Sequence, residues 1–220
     1  IQEDVVKKQI IQTKAGLLPK YQEQTIIDIC GGRGGHLFAY MVMAKKYKVD
    51  FNPKNVYYND IDPANVLQFK YINKKFRFGV PEKNITCEDA LKKEWNMKFD
   101  ISVGNVAYNL RSEGNNGGKM GTIGPKNIGI KLNRKQLDVT KENGVAQIMG
   151  LKTSMFDKAT SYDDYDIKTL SLMVDDNYWS YNTFWAVGTK SSNNKSYEIY
   201  GSDINSSIIK KIFAKKQWEV

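Results

Sequence analysis

Asp28-Ile29-Cys30-Gly31-Gly32-Arg33-Gly34-Gly35-His36-Leu37 carries four glycines within five residues. The apolar run Thr25-Ile26-Ile27 precedes it, and a helical-looking segment, Leu37 to Lys48, follows. A strand, a tight glycine turn and a helix in that order open a doubly wound α/β sheet. Glycine suits the turn because other side chains block close backbone approach and positive φ. In such a sheet the turn is where a nucleotide-like cofactor is held. The chain therefore reads as a cofactor-using enzyme.

The rest of the chain alternates in the same way. Residues 3–13 form a short helical pattern with Val5, Val6 and Ile10 on one face. Strands are expected at 24–30, 55–60, 84–88, 98–104 and 144–150, with helices at 36–48, 63–76 and 126–142. This alternation predicts a mostly parallel sheet with helices on both faces. Strands such as Ile101-Ser102-Val103 are apolar on both sides, as a buried sheet requires. Near residue 176 the pattern changes. The aromatic run from Tyr178 to Val187, a polar turn, and Ser196 to Tyr200 predict a C-terminal antiparallel hairpin. Residues 109–125 are rich in glycine and polar residues and read as a long mobile loop after a strand, the kind that serves as a lid or insert.

At 220 residues and 41% hydrophobic, the chain has the size and apolar content of one globular domain with a real core. No stretch is long and apolar enough for a membrane helix, and no signal peptide is visible. The first residue is Ile1 rather than Met, the pattern of a chain trimmed at its ends. The net charge of +9 favours an anionic partner such as nucleic acid. The cations are dispersed, at Lys70, Lys74, Lys75 and Arg77, along 126–141, and at Lys210, Lys211, Lys215 and Lys216. Cys30 and Cys87 are the only cysteines and His36 the only histidine, so a histidine-rich zinc site is excluded and no metal is expected. Two thiols without a secretion signal fit a reducing, cytoplasmic compartment, with both expected as buried small residues near strand ends.

The glycine loop does not fit Gly-x-Gly-x-x-Gly, since Leu37 stands where the third glycine falls. It resembles instead the Asp-x-x-x-Gly-x-Gly loop of S-adenosylmethionine-dependent methyltransferases, filled by Asp28, Gly32 and Gly34. The closer likeness is to the Asp-Pro-Ala-Cys-Gly-Ser-Gly-Gly-Phe-Leu loop of adenine-specific DNA methyltransferases. That resemblance implies a Rossmann-like methyltransferase fold with a seven-stranded sheet, and S-adenosyl-L-methionine as cofactor. Asp28, Cys30, Gly31, Gly32 and Gly34 would then surround its methionine part. Val56-Tyr57-Tyr58-Asn59-Asp60-Ile61-Asp62-Pro63 ends the next strand and resembles the family's Asp/Glu-Ile-Asp-Pro pattern. Asp60 would accept hydrogen bonds from the ribose hydroxyls, Ile61 would lie against the adenine, and Asp62 reads as a helix cap before Pro63. In Thr86-Cys87-Glu88-Asp89-Ala90 the resemblance makes Asp89 the acid facing the adenine amino group. Glu88 is a competitor, and a capping role for Asp89 is an equal alternative.

Gly104-Asn105-Val106-Ala107-Tyr108-Asn109 follows an apolar strand and resembles the Gly-Asn-Pro-Pro-Tyr-Asn motif of amino-methyltransferases. The Asn105 amide and the Val106 carbonyl would accept the two hydrogens of an exocyclic amine, drawing its nitrogen toward tetrahedral geometry. Tyr108 would stack on a flipped base. Val106 and Ala107 stand where two prolines are usual. The carbonyl survives, but rigidity worth about 0.4–1 kcal/mol per proline is absent. Glu3-Asp4-Val5-Val6 resembles the helix that precedes the loop in this family, and Phe184 and Trp185 resemble a late motif lining the target-base pocket.

The resemblance implies a methyltransferase domain over residues 1–200, then a basic helix or the start of a recognition segment at 201–220. The expected activity is methyl transfer to the adenine amine of DNA, with lysines and Arg111 on the phosphates. Two alternatives stay open: RNA adenine methylation, and a catalytically silent protein that binds nucleic acid or cofactor.

Overall fold

The apolar runs that mark the strands are buried from two sides. In the computed structural model, which describes residues 2–104, 128–151, 165–171 and 183–190, β1 (Ile26–Asp28) sends Ile26 into one core and Ile27 into another. A strand that feeds two cores belongs to a sheet covered on both faces. β1 lies between β2 (Val56–Asn59) and β4 (Phe99–Val103), parallel to each, and β2 pairs in parallel with the short β3 (Ile85–Thr86). β5 (Thr140–Leu151) runs parallel to β4. Beyond it come β6 (Tyr165–Ser171) and β7 (Thr183–Lys190), with β7 antiparallel to both β5 and β6. The order across the seven-stranded sheet is β3-β2-β1-β4-β5-β7-β6. The strand order therefore reverses between β1 and β4, and a crevice opens outside their carboxyl ends. This is the Rossmann-like architecture expected from the alternation.

On one face α1 (Gln2–Lys14), α2 (Gly35–Lys46) and α3 (Pro63–Phe76) bury Val5, Val6, Leu37, Met41, Val66 and Phe69 against Ile26, Val56 and Ile101. Aromatic rings bind this layer together. Tyr58 stacks on Phe69 at 3.9 Å between centroids, Phe69 on Phe38 at 5.0 Å, and Phe38 on Phe78 at 4.5 Å. On the other face α4 (Ile128–Asp138) presses Leu132 onto Ile27, Ile29 and Phe99. The ends of α3 fall where the sequence places them. Asp62 caps its first turn by accepting a 2.9 Å bond from the Ala64 N–H, Pro63 follows, and the helix stops before Arg77 at φ 54°.

Three expectations need correction. The helix expected over 126–142 ends at Asp138, because the β-branched pair Val139-Thr140 turns into the sheet. The Val139 carbonyl accepts from Phe99 N–H at 2.8 Å, and the Thr140 hydroxyl bonds the Gln136 carbonyl at 2.8 Å. The strand expected over 24–30 is shorter, since Gln24 and Thr25 are committed elsewhere. Gln24 bonds Gln9, Thr13 and the Pro19 carbonyl, and Thr25 bonds Asp100. The aromatic strand has a different hairpin partner. Both edges of β7 are occupied, by β5 and by the unexpected β6. Residues 178–182, 196–200 and 201–220 lie outside the described residues.

Asp100 shows how the parallel strands are held at their amino ends. Its carboxylate is buried and accepts from Thr25 N–H at 2.8 Å, from the Thr25 hydroxyl at 2.9 Å, and from Lys141 Nζ at 3.0 Å on both oxygens. It thereby joins β4, the approach to β1, and β5. Replacement Asp100→Ala leaves the Thr25 N–H without its acceptor and is expected to cost about 2 kcal/mol of unfolding free energy. A urea titration of the variant beside wild type measures this.

Candidate functional site

The crevice at the carboxyl ends of the strands is built around one buried amide. Asn59, fully buried at the end of β2, donates through Nδ2 to the carbonyls of Ile29 and Glu88, each at 3.0 Å. Its Oδ1 accepts from the Thr86 hydroxyl at 2.7 Å, and its own carbonyl accepts from Gly31 N–H at 2.9 Å. One side chain thus fastens the ends of β1, β2 and β3 and anchors the glycine loop. The sequence reading missed it. The available signal was a polar residue closing the apolar run Val56 to Tyr58.

The loop's glycines are required by its neighbours. A Cβ on Gly31 would stand 2.2 Å from the Tyr58 ring, and Gly34, at φ 85°, would drive one to 2.5 Å from Phe69. The Tyr58 hydroxyl in turn donates to the Gly32 carbonyl. Gly32 and Gly35 differ, because at each the Cβ position has nothing within 4 Å among the described residues.

Acidic side chains from three strand ends meet beside this loop. Asp28, at the end of β1, is buried. Its Oδ1 accepts from Cys30 N–H at 3.2 Å, while Oδ2 has no hydrogen-bond partner among the described residues. Burial pushes the Asp28 carboxyl up to about 8, against the pull of the Cys30 bond and with a further push from Asp60. Asp60 is also buried. Its Oδ2 accepts from Gly32 N–H at 2.7 Å, and its Oδ1 from Asp62 N–H at 2.8 Å and Asn65 Nδ2 at 3.1 Å. A carboxylate offers about four acceptor sites, so Asp60 holds the loop and keeps one for a ligand. Burial, then the charges of Asp28, Asp60 and Asp89, push the half-buried Cys30 thiol upward, which keeps it protonated.

The remaining candidates are placed unevenly. Ile61 is 67% exposed, an apolar side chain held out beside Asp60. Asp89 takes a capping geometry. Its Oδ1 accepts from Leu91 N–H at 2.9 Å, and its carbonyl takes Lys93 N–H at 2.8 Å, leaving Oδ2 at 3.8 Å from Lys92. Glu88 pairs with Lys93 instead. Cys87 departs from expectation: it is exposed, its thiol directed at the Ile61 carbonyl at 3.7 Å, because β3 ends at Thr86 before burial can reach it. His36 Nδ1 lies 3.0 Å from Gln2 Nε2, so the first turn of α1 covers the start of α2, and burial lowers the His36 pKa. Asn105, Val106, Ala107, Tyr108 and the loop 109–125 lie outside the described residues. What precedes them is informative. Gly104 has φ 139°, and a Cβ there would sit 2.5 Å from Asp28 Oδ1. The end of β4 therefore passes directly against the buried acid of the glycine loop.

These groups offer an unpartnered carboxylate oxygen, a second carboxylate and an exposed apolar side chain around one turn. The unpartnered Asp28 oxygen suits an ammonium or sulfonium charge, the spare Asp60 acceptor suits a hydroxyl, and Ile61 offers an apolar surface. Among the described residues, no group of three His, Cys, Asp or Glu side chains is arranged to hold a metal ion, and no helix is long and apolar enough to cross a membrane.

Comparison with solved structures gives the same backbone at low sequence identity. The M protein of the type I restriction enzyme EcoKI superposes with a TM-score of 0.61 at 12% identity, covering 90% of this chain and 45% of that one. The methyltransferase subunit of a type I restriction-modification system from Streptococcus thermophilus gives 0.55 at 18% identity, covering 86% of this chain and 43% of that one. An rRNA methylase, also from Streptococcus thermophilus, gives 0.54 at 13% identity, covering 86% of this chain and 94% of that one. The chain spans less than half the length of the two restriction subunits. No protein-family model matches the chain, and no curated protein matches it in sequence. The fold is the Rossmann-like methyltransferase fold.

Two predictions follow from this geometry. Gly31→Ala is expected to cost about 1–3 kcal/mol through overpacking on Tyr58, and Tyr58→Leu in the same chain to recover part of it. Paired urea titrations measure both. Asp28 binds its proton more tightly folded (about 8) than at its ordinary value of 3.8. Its contribution to stability is therefore present at low pH and is lost as pH rises across that window. Between pH 5 and 8 the melting midpoint of wild type should fall relative to Asp28→Asn by more than about 2 °C.

Proposed function

We propose that this chain transfers a methyl group from S-adenosylmethionine to the exocyclic amine of adenine in DNA, by direct transfer to a flipped base. The carrying observation is the convergence at the strand-order reversal. An unpartnered buried carboxylate oxygen, a second acid from β2 and an open glycine backbone meet where Gly104 leads into Asn105-Val106-Ala107-Tyr108. The cofactor, when bound, supplies an electrophilic methyl group. Asp28 and the loop Cys30, Gly31, Gly32 and Gly34 hold its charged amino-acid end. Asp60 takes a ribose hydroxyl, Ile61 packs on the adenine, and Asp89 offers Oδ2 to its amine.

Asn105 and the Val106 carbonyl accept hydrogen bonds from the two amine hydrogens of the target base, which frees the nitrogen lone pair to take the methyl group as one amine proton is released to solvent. Tyr108 stacks on the extruded ring and replaces the stacking lost from the duplex. The net charge of +9 gives a sequence-independent attraction to phosphate, which weakens as salt rises. The Gly-Asn-x-x-Tyr resemblance supports an adenine amine of DNA as the acceptor. A second reading is RNA adenine methylation, since an rRNA methylase is among the solved structures with this fold.

The test uses methyl-labelled cofactor with mixed-sequence duplex DNA and, in parallel, structured RNA. Wild type is compared with Asn105→Ala and with a form carrying Val106→Pro and Ala107→Pro. Label in DNA adenine from wild type, reduced at least about 100-fold in Asn105→Ala, is the expected result. Label confined to RNA establishes the second reading. Label only in the Pro-Pro form identifies a disabled enzyme, and no label in any form, with cofactor bound, overturns methyl transfer.

A further inference from the structure

A second basic feature lies away from the crevice. The C-terminal half of α3 and the turn after it form a groove of about 420 Å³ lined by Lys70, Tyr71, Lys74 and Arg77, with Glu82 on the facing wall. At 1.5 Å per residue the lining residues of α3, from Lys70 to Arg77, lie about 12–22 Å along the helix from Asp62 and the cofactor crevice. Among the described residues the one ion pair in the groove joins Lys70 to Glu82, at 4.0 Å, and Glu82 is 84% exposed. Lys74 and Arg77 have no carboxylate partner among the described residues. The cations also exceed what capping the C-terminal dipole of α3 requires, which one or two would meet.

Two observations mark the groove as built. Arg77 ends α3 at φ 54°, in the left-handed region where glycine or asparagine is usual. A bulky residue is strained there, and the guanidinium is carried despite that cost. The opposite wall is pinned by Asn73, whose amide donates to the Val80 carbonyl at 2.7 Å and accepts from Val80 N–H at 3.1 Å. Tyr71, which lines the groove, is 63% exposed, and Lys75 Nζ lies 5.6 Å from its ring centroid. Cations lining a groove with exposed aromatic faces alongside form a stacking platform for single-stranded nucleic acid.

We propose that this groove binds the phosphodiester backbone of a nucleic acid, with an unpaired base stacked on Tyr71, as a site separate from the methyl-transfer crevice. Lys70, Lys74 and Arg77 meet successive phosphates, and the groove acts whether or not methyl transfer takes place.

The test measures binding of fluorescein-labelled dT12, a 12-base-pair duplex and an RNA hairpin to the full chain across a salt series. The groove variant carries Lys70→Gln, Lys74→Gln and Arg77→Gln. A charge-matched control carries Lys14→Gln, Lys20→Gln and Lys98→Gln, all exposed and on other elements. The groove variant is expected to lose at least about tenfold in affinity at moderate salt and about 2 in the slope of log K against log salt. The control should keep its affinity within about threefold. Tyr71→Ala should weaken dT12 more than duplex.

Equal losses in the two charge variants, or none in the groove variant, overturn the proposal. So does groove-dependent binding to anionic lipid vesicles without any to nucleic acid. Should the variant melt early, lysine acetylation of wild type decides: bound dT12 must protect Lys70 and Lys74 and leave Lys14 and Lys20 reactive, and the reverse overturns the site. Failure of methyl transfer with groove binding intact contradicts only the function proposed above.

Discussion

The Asn59 side chain is the constraint on which the crevice depends. Parallel strands end without a hairpin to tie them, so their last carbonyls need partners from elsewhere. Asn59 supplies two N–H donors to the Ile29 and Glu88 carbonyls and one acceptor to Thr86, from a fully buried position. A buried amide with its partners satisfied is rigid, because any rotation leaves donors unmet in a medium that does not hydrate them. The Gly31 N–H bonds the carbonyl of the same residue, so the glycine loop inherits that rigidity. Asp60, the next residue, is thereby held against Gly32.

A second consequence concerns charge. The network leaves little water access at the end of β1, and Asp28 is enclosed there with one oxygen unmatched. An acid in that state favours its proton until a cation arrives. Binding of a positively charged group beside Asp28 and ionisation of that carboxyl are then linked. The contact of Gly104 with Asp28 carries the same constraint to the end of β4, where a side chain larger than hydrogen would collide with the carboxylate.

Much of this was legible in the sequence, and the losses have physical reasons. The glycine loop, Asp60 and the capped start of α3 were readable because they depend on local spacing: a strand, a turn and a Pro-led helix follow one another. Asn59 was not, because a strand-end asparagine looks like an ordinary turn residue until three strands are brought together in space. The demand for glycine at Gly31 was expected for a ligand, yet its nearest neighbour is Tyr58, a contact no local pattern encodes. Asp89 stayed ambiguous because capping a turn and facing a purine call for the same residue type. β6 was overlooked although Tyr165 to Lys168 alternates apolar and polar residues, the period of a half-exposed strand.

The central claim is that the crevice at the carboxyl ends of β1, β2 and β4 receives the cofactor. Titration of isotope-labelled protein with S-adenosylhomocysteine, followed by amide chemical shifts, tests it most directly. Saturable shifts confined to Gly32, Ile61, Gly104 and their sequence neighbours, with Lys14 and Lys70 unmoved, are the predicted result. Saturable shifts elsewhere, or none at millimolar ligand, would contradict the account.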